Sequence, residues 1–285
     1  MAKILDGRVV RNKIAQKLKT LNSKLKTRPK LVIIQVGDLP QSNTYIRQKI
    51  LFGQKIGAVV NHVKLDKNVG EQKLRTMISK LNTDPSVNGI IIQMTIPKHI
   101  DRDKIIDAIV PEKDVDGLTS TNLKLLWEDR QEGYTPATTA GILTLLRYHN
   151  IAIAGKHVVV VGRSSLVGKP TTLAFLNRDA TVTVCHSQTK NLKAETNKAD
   201  ILIVAVGKPN LITKDHVSRG QVVIDVGINI AEVEPPQKKL VGDVDFEKVS
   251  KIVAAITPVP GGVGPMTVAS LFENLLEAFT RQNPK

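Results

Sequence analysis

A tyrosine and a lysine stand four residues apart, at Tyr45 and Lys49, shortly after Pro40 and Ser42. On a helix, side chains at this spacing share one face. The tyrosine ring offers a surface on which a flat substrate can stack, and the lysine amine offers a group that can exchange a proton. Without further context, an exposed lysine beside a surface tyrosine would be the favoured interpretation of the pair.

Two further stretches of the sequence supply that context. Gln93 closes the apolar run 89–92, which places it at the carboxyl end of a predicted strand, where α/β proteins build their sites. Asp114 and Asp116 lie in the polar turn 111–117. A carboxylate there can accept two parallel N–H bonds from the edge of an amidine-like heterocycle, or it can cap the turn.

Short β-branched runs alternate with amphipathic stretches along the whole chain. This order predicts an α/β protein with parallel strands and helices on the faces of the sheets. Pro and Thr residues interrupt the pattern at 133–141, where we predict a hinge. A second alternating series begins at Lys156, and its spacing suits a doubly wound open sheet. The predicted strands of this series are 157–161, 180–185, 201–206, 222–226 and 252–256.

A glycine turn follows the first strand of this second series. Four valines at 158–161 lead into Gly162, Arg163 and Ser164, and Gly168 and Pro170 follow at the start of a predicted helix. Such a turn directs backbone N–H groups toward a phosphate. It lacks the full Gly-x-Gly-x-x-Gly spacing, so the turn alone is also compatible with plain packing of a helix on a sheet.

The residues around this turn favour NADP over NAD. An NAD site carries an acidic residue about 20 residues downstream, which bonds the ribose hydroxyls. Here the corresponding stretch, 183–187, contains neither Asp nor Glu. Arg163 supplies a guanidinium that suits a 2′-phosphate.

The composition of the 285 residues excludes several classes of protein. The 3% aromatic content argues against a binder that stacks single-stranded bases, and one cysteine permits no internal disulfide. The histidines show no metal-ligand spacing, and no apolar run is long enough to span a membrane. We expect a cytoplasmic protein without a bound metal. The net charge of +15 leaves open a basic nucleic-acid-binding protein, although the densest basic stretch, 17–30, has the pattern of an amphipathic helix with a solvated basic face.

Taken together, the motifs resemble the bifunctional methylenetetrahydrofolate dehydrogenase/cyclohydrolase family over essentially the whole chain. Each fragment is common, but their order and spacing are highly specific. The stretches that carry the resemblance are 36–38 with Ser42, Tyr45 and Lys49, then 89–93, 97–101, 113–117, 162–170, 224–229 and 257–267.

The resemblance implies two domains around a cleft, the second Rossmann-like with a doubly wound parallel sheet. It implies a folate-binding catalytic domain at 1–139, completed by a C-terminal helix at 266–285, and an NADP-binding domain at 140–265. The implied reactions are oxidation of 5,10-methylenetetrahydrofolate with NADP and hydrolysis of the methenyl product to 10-formyltetrahydrofolate. The resemblance also implies a homodimer. The alternatives are a different NADP-dependent dehydrogenase and a basic nucleic-acid-binding protein.

The same resemblance implies a role for individual residues. Lys49 is the catalytic lysine, Gln93 its hydrogen-bond partner and Tyr45 the ring that stacks on the folate. Asp116 anchors the pterin, and the segment 258–264, with Pro258 and Gly262, lines the cleft near both ligands. The implied cofactor contacts are Gly162, Arg163, Ser164, Ser187 and Ile228.

Two loops depart from the family pattern. Thr95 and Thr139 each stand where the family usually has a proline. We expect these replacements to affect the stiffness of the loops and the closure of the domains, and to leave the chemistry intact, because no catalytic position is lost.

Overall fold

The structure of the protein, a computed structural model, describes residues 1–94, 96–232 and 238–284. Thr95 therefore lies outside the described residues. Helices and mostly parallel strands alternate along the described chain, so the predicted α/β class is confirmed.

The strands are short, and most are buried. In chain order they are β1 (Lys3–Ile4), β2 (Lys30–Val36), β3 (Val59–Leu65), β4 (Gly89–Ile92), β5 (His157–Val161), β6 (Thr181–Cys185), β7 (Ile201–Val204), β8 (Val222–Asp225), β9 (Asn229–Glu232), β10 (Lys238–Val241) and β11 (Ala255–Ile256). The predicted strand at 252–256 is wrong over its first half, because Ile252 and Val253 donate to Val249 O and continue a helical turn.

The helices lie between these strands and at the end of the chain. They are α1 (Gly7–Asn22), α2 (Pro40–Ile56), α3 (Glu71–Thr83), α4 (Arg102–Ile106), α5 (Ser120–Trp127), α6 (Ala137–Tyr148), α7 (Gly168–Leu176), α8 (Leu192–Thr196), α9 (Phe246–Val249) and α10 (Val263–Gln282). The amphipathic helix expected over 17–30 ends at Asn22, because the chain turns there and enters β2. The hinge expected over 133–141 contains the start of α6.

The chain divides into two compact units. The large-sheet unit comprises Met1–Arg11 and Thr138–Thr267, and the small-sheet unit comprises Asn12–Ala137 and Val268–Lys285. Each unit has its own sheet and its own apolar core, whose residues are almost completely buried. The boundaries that the resemblance implies, after residues 139 and 265, stay a prediction.

The large-sheet unit contains six parallel strands in the order β1-β11-β8-β7-β5-β6. The chain starts the doubly wound part at β5, moves outward to β6 and then returns to the other side of β5 at β7. The predicted doubly wound sheet is therefore confirmed. Because β5 lies where the winding reverses, the turn that follows it occupies the position at which such sheets bind ligands.

The small-sheet unit contains three parallel strands in the order β3-β2-β4. The winding reverses at β2 in the same way. Helix α2 leaves the carboxyl end of β2, with Pro40 in its first turn, and ends at Gly57, whose left-handed φ of 77° lets its N–H bond back into the helix. The loops after β2 and β4 thus meet at one edge of the sheet.

Candidate active site

The catalytic candidates of the small-sheet unit come together around Lys49. Lys49 lies on α2 one turn after Tyr45, and both side chains are half-buried. The Lys49 Nζ donates a hydrogen bond of 3.1 Å to Gln93 Oε1. Burial lowers the pKa of Lys49, and the nearby Asp116 carboxylate opposes that change. Removal from water disfavours the charged ammonium, so the neutral amine form of Lys49 is more populated at a given pH.

Gln93 is held in place by the end of β4. Its backbone N–H donates to Ile34 O at 2.8 Å, which continues the pairing of β4 with β2 by one residue. The side chain therefore starts from a fixed point at the carboxyl edge of the sheet. Burial also raises the pKa of the Tyr45 hydroxyl, so Tyr45 stays neutral and can act only as a ring surface and a neutral hydrogen-bonding group.

The paired acids of the 111–117 turn have different surroundings. Asp114 is buried, and its carboxylate accepts three hydrogen bonds, from the N–H groups of Gly117 and Thr119 and from the side chain of Asn122. Asp114 thus caps the turn. Asp116 is half-buried, and its carboxylate accepts no hydrogen bond from the described residues.

The electrostatic state of Asp116 follows from its surroundings. Burial raises its pKa to about 6, the positive charge of Lys49 works against this, and the Asp114 carboxylate adds to it. An acid in this state is mostly ionised at neutral pH and is protonated as the pH falls through 6. Its two oxygens can then bind a pair of N–H groups on a ligand.

The glycine turn of the large-sheet unit is shaped by close approach of the backbone. Gly162 has a φ of 127°, and a Cβ atom there would lie 2.2 Å from Ala205 O. A Cβ atom on Gly168 would lie 2.3 Å from Gly162 O. Only glycine fits either position. The Ser164 Oγ accepts N–H bonds from Val167 and Gly168, which fixes the start of α7.

The remaining cofactor candidates lie at the same edge of the large sheet. Gly162 N–H donates to Cys185 O, so the ends of β5 and β6 are joined and the stretches that carry Arg163 and Ser187 start from neighbouring strands. Both side chains are exposed, and Ile228, which follows β8, is 41% exposed. The backbone of the glycine turn, an exposed guanidinium and an apolar side chain fit the phosphates, the 2′-phosphate and the base or ring of a dinucleotide.

The segment 258–264 follows β11 in the large-sheet unit. Gly262 is buried and donates its N–H to Pro258 O at 2.8 Å, and Gly7 N–H donates to Gly261 O at 2.9 Å. A Cβ atom on Gly264 would lie 3.7 Å from Ile228 Cδ1, so this segment lies beside the end of β8. Its conformation is set by the backbone, as in the glycine turn.

Sequence reasoning missed two buried carboxylates at this edge. Asp225 accepts N–H bonds from Gly227, Asp243 and Val244, and burial raises its pKa to about 7. Asp243 accepts N–H bonds from Val206, Gly207 and the Asn229 side chain. Together they hold the loops after β7 and β8, including the one that carries Ile228. The sequence signal that could have identified Asp225 and Asp243 is an acidic residue at the end of a short apolar run.

The doubly wound sheet with a glycine turn at its switch point is the fold of pyridine-nucleotide enzymes, and the half-buried Lys49 beside Gln93 is a candidate substrate site. Residues 5–116 match the model of the tetrahydrofolate dehydrogenase/cyclohydrolase catalytic domain, and residues 136–283 match the NAD(P)-binding domain of the same family. The chain belongs to the tetrahydrofolate dehydrogenase/cyclohydrolase family.

Full-length relatives agree with this result. The bifunctional protein FolD of Exiguobacterium sibiricum is 48% identical over 98% of this chain and 99% of its own length. The bifunctional methylenetetrahydrofolate dehydrogenase/cyclohydrolase of Campylobacter jejuni is 41% identical, with a TM-score of 0.96 over 99% of this chain and all of its own. The Trypanosoma brucei enzyme, solved with NADP cofactor and inhibitor, is 36% identical, with a TM-score of 0.93 over 98% of each chain.

The predicted function is therefore confirmed. The protein is a bifunctional enzyme of folate one-carbon metabolism, with NADP-dependent methylenetetrahydrofolate dehydrogenase and methenyltetrahydrofolate cyclohydrolase activities. The two alternative interpretations, another NADP-dependent dehydrogenase and a nucleic-acid-binding protein, are not supported. Among the described residues, none of the helices is both long and apolar enough to cross a bilayer.

Proposed function

We propose that Lys49, Gln93, Tyr45 and Asp116 carry the folate chemistry in the small-sheet unit, while the large-sheet unit holds NADP. The main support is the 3.1 Å hydrogen bond from Lys49 Nζ to Gln93 Oε1, on a lysine whose pKa is lowered by burial. An ordinary lysine has a pKa of about 10.4 and is a poor base at neutral pH. A partly buried lysine beside a neutral amide is a better base at neutral pH.

In the hydrolysis step, water attacks the carbon of the methenyl bridge. One proton of that water passes to the neutral Lys49 Nζ, which leaves a hydroxyl group on the bridge carbon. The hydroxyl proton is then lost as the C=O bond forms, one ring C–N bond breaks, and the departing ring nitrogen takes up a proton, which gives the 10-formyl product. The positive charge of the methenyl cation further disfavours the ammonium form of Lys49. Gln93 can accept a bond from the ammonium or donate one to the neutral amine, so it orients Lys49 in both states.

Asp116 and Tyr45 position the folate substrate. The ionised Asp116 accepts two N–H bonds from the amino-pyrimidinone edge of the pterin, and the Tyr45 ring stacks on the folate. Pro258 and Gly262 contribute further substrate contacts. Hydride transfer needs no base, so these residues serve the dehydrogenase reaction by alignment.

For NADP, we assign the phosphates to the backbone of Gly162 and Ser164 and the 2′-phosphate to Arg163 and Ser187. Ile228 supplies an apolar contact. When bound, NADP supplies the hydride acceptor. The support for these assignments is the glycine turn, which only glycine can form, together with an exposed guanidinium at its tip.

Lys49→Met tests the roles of the folate site. This change keeps the length of the side chain and removes the amine, so we expect hydrolysis of methenyltetrahydrofolate to fall to the spontaneous rate. Dehydrogenase activity should fall less, through lost alignment alone. The decay of the methenyl absorbance band measures the first activity, and NADPH formation measures the second.

Lys55→Met is the matched control, because Lys55 lies on the same helix and its Nζ donates to the exposed Asn12 side chain, away from the candidate site residues. Both activities should remain at wild-type levels in this variant. Hydrolysis by Lys49→Met at the wild-type rate would exclude Lys49 as the base.

We further propose a cytoplasmic homodimer. The hairpin of β9 and β10 supports the dimer, because Ile230 and Leu240 are paired in register across it and are 44% and 41% exposed. An apolar pair of this kind suits burial against a second copy. Sedimentation velocity measures the assembly, and a monomer at micromolar concentration would contradict it.

A further inference from the structure

The turn that carries Asp116 is attached to its surroundings on three sides. The Lys113 Nζ donates to Leu81 O at 3.0 Å and to Asp84 O at 2.7 Å, at the end of α3. Asp114 forms a bridge with Ile90 of β4. These contacts therefore connect the turn to helix α3 and to strand β4, the strand that directly precedes Gln93.

The third attachment comes from α10. The Asn274 side chain donates to Val115 O at 2.9 Å and to Thr135 O at 3.1 Å. Val115 itself is fully buried. The backbone on either side of Val115 thus has little freedom, and the direction of the Asp116 side chain depends on the turn immediately before and after it.

Asp114 is the centre of that turn. One carboxylate oxygen accepts the Gly117 N–H at 3.0 Å, and the other accepts the Thr119 N–H at 2.7 Å and the Asn122 amide at 2.9 Å. These bonds close the backbone around Asp116. Because the acceptor is a buried carboxylate, each bond is stronger than one between neutral groups.

We propose that Asp114 is the positioning residue for Asp116, and through it for the pterin ring of the folate. It acts by hydrogen bonds that fix the turn and by its own negative charge. This inference rests on the proposed role of Asp116, which the test below examines separately.

The charge gives Asp114 an effect that a purely structural residue would not have. The charged groups acting on Asp116 are Lys49 from α2 and Asp114 from its own turn. The neighbouring Lys113 ammonium is engaged with the end of α3 instead. Loss of the Asp114 charge removes a cause that raises the pKa of Asp116, so that pKa should fall from about 6.

Asp114→Asn is the first variant. It keeps the shape, removes the charge and places an NH₂ group against N–H donors. We expect the KM for folate substrate to rise roughly tenfold, since a charge-assisted bond is lost. Binding needs the ionised Asp116 and is lost as the pH falls through its pKa, so the midpoint of the folate KM against pH should move to lower pH.

Asn122→Ala separates position from charge. It removes one donor to Asp114, together with the Asn122 bonds to Pro111 O and from Tyr134 N–H, and leaves the carboxylate. The KM should therefore rise by a smaller factor while the pH midpoint stays at the wild-type value. Asn22→Ala is the control, because it removes a buried hydrogen bond to Ile56 O on the same unit without contact with the turn. It should lower the thermal midpoint and change neither KM nor the pH midpoint.

Asp116→Asn separates this inference from the proposed function. If folate affinity survives in Asp116→Asn, the assignment of the pterin anchor is wrong. If Asp116→Asn loses folate binding while folded Asp114→Asn and Asn122→Ala keep the wild-type KM and pH midpoint, the anchor stands and the role of Asp114 is overturned. If Asp114→Asn does not fold, the KM of Asn122→Ala decides alone.

Discussion

The two units prepare their ligand sites by different means. The small-sheet unit uses side chains, in which a half-buried lysine, an amide and a half-buried carboxylate converge from a helix, a strand end and a turn. The large-sheet unit uses backbone, in which glycines allow close approach at the end of β5 and the functional side chains remain exposed. The charged groups of the first site therefore have shifted pKa values, lowered for Lys49 and raised for Asp116.

This difference matches the chemistry that each site must perform. A proton-transfer site needs groups whose protonation is shifted toward neutral pH, and burial achieves this at the expense of stability. A cofactor site needs only to bind phosphates and leave the reactive ring accessible, which exposed donors can do in water. We therefore expect variants of the first site to gain stability and lose function, and variants of the second to lose affinity alone.

Among the variants that test this comparison, Asp116→Asn should have the largest effect. The raised pKa of Asp116, about 6 against an ordinary 3.8, means that the folded protein disfavours the ionised form. The unfolded chain loses its proton at lower pH, so this group's contribution to the free energy of unfolding falls as the pH rises from 3.8 to 6. Replacement by the neutral Asn should then increase stability at pH 8 by up to about 3 kcal/mol. The gain should be smaller at pH 5.

Calorimetric melting of both proteins at pH 5 and pH 8 measures this effect. Asp101→Asn provides a control of opposite sign, because Asp101 caps α4 and the hydrogen bonds and charge of Lys104 lower its pKa. That variant should lose stability by a similar amount at pH 5 and at pH 8, because both values lie above the ordinary pKa of 3.8, and the loss should shrink only as the pH falls below it. A lower melting temperature for Asp116→Asn at pH 8 would mean that Asp116 supports the fold and that the proposed conflict between charge and stability is absent.

Arg163→Ala tests the exposed site. The guanidinium can form a charge-assisted pair with the 2′-phosphate, so its loss should weaken NADP binding roughly tenfold and leave NAD binding nearly unchanged. Because the side chain is exposed, the melting temperature should not change. Steady-state kinetics with both dinucleotides measures the ratio, and Lys169→Ala, an exposed cation in the first turn of α7, is the control. Equal losses for NAD and NADP would show that Arg163 does not contact the 2′-phosphate.

The same contrast explains what the sequence could predict. The glycine turn is continuous, so a four-valine strand followed by Gly162 indicates it directly. The proposed folate site draws on residues between 45 and 116 on three separate elements, and only the family resemblance joined them. Asp114 caps the turn because its carboxylate accepts the backbone N–H groups there, and Asp116 does not. Sequence spacing alone could not tell which of the two carboxylates is the cap and which is the candidate ligand.

The smallest expected effect concerns Thr139, which stands where the family usually has a proline. Thr139 is fully buried in the first turn of α6, and its hydroxyl shares a 3.0 Å hydrogen bond with that of Thr171 on α7, the helix that follows the glycine turn. Thr139→Val keeps the shape and leaves the Thr171 hydroxyl without this partner. We expect a loss of about 1 kcal/mol in stability, and a decrease in NADP affinity smaller than that of Arg163→Ala.

Thr267→Val is the matched control. Thr267 also bonds a threonine on α6, Thr138, but at 3.3 Å and from a half-buried position, and it has Val263 O as a second acceptor. Its replacement should change the melting temperature less than that of Thr139. Thr139→Pro tests the same point from the other side, since a proline is tolerated in the first turn of a helix but cannot bond Thr171. If the Val and Pro variants both melt at the wild-type temperature, the hydroxyl pair contributes nothing, and the glycine turn is held by its backbone alone.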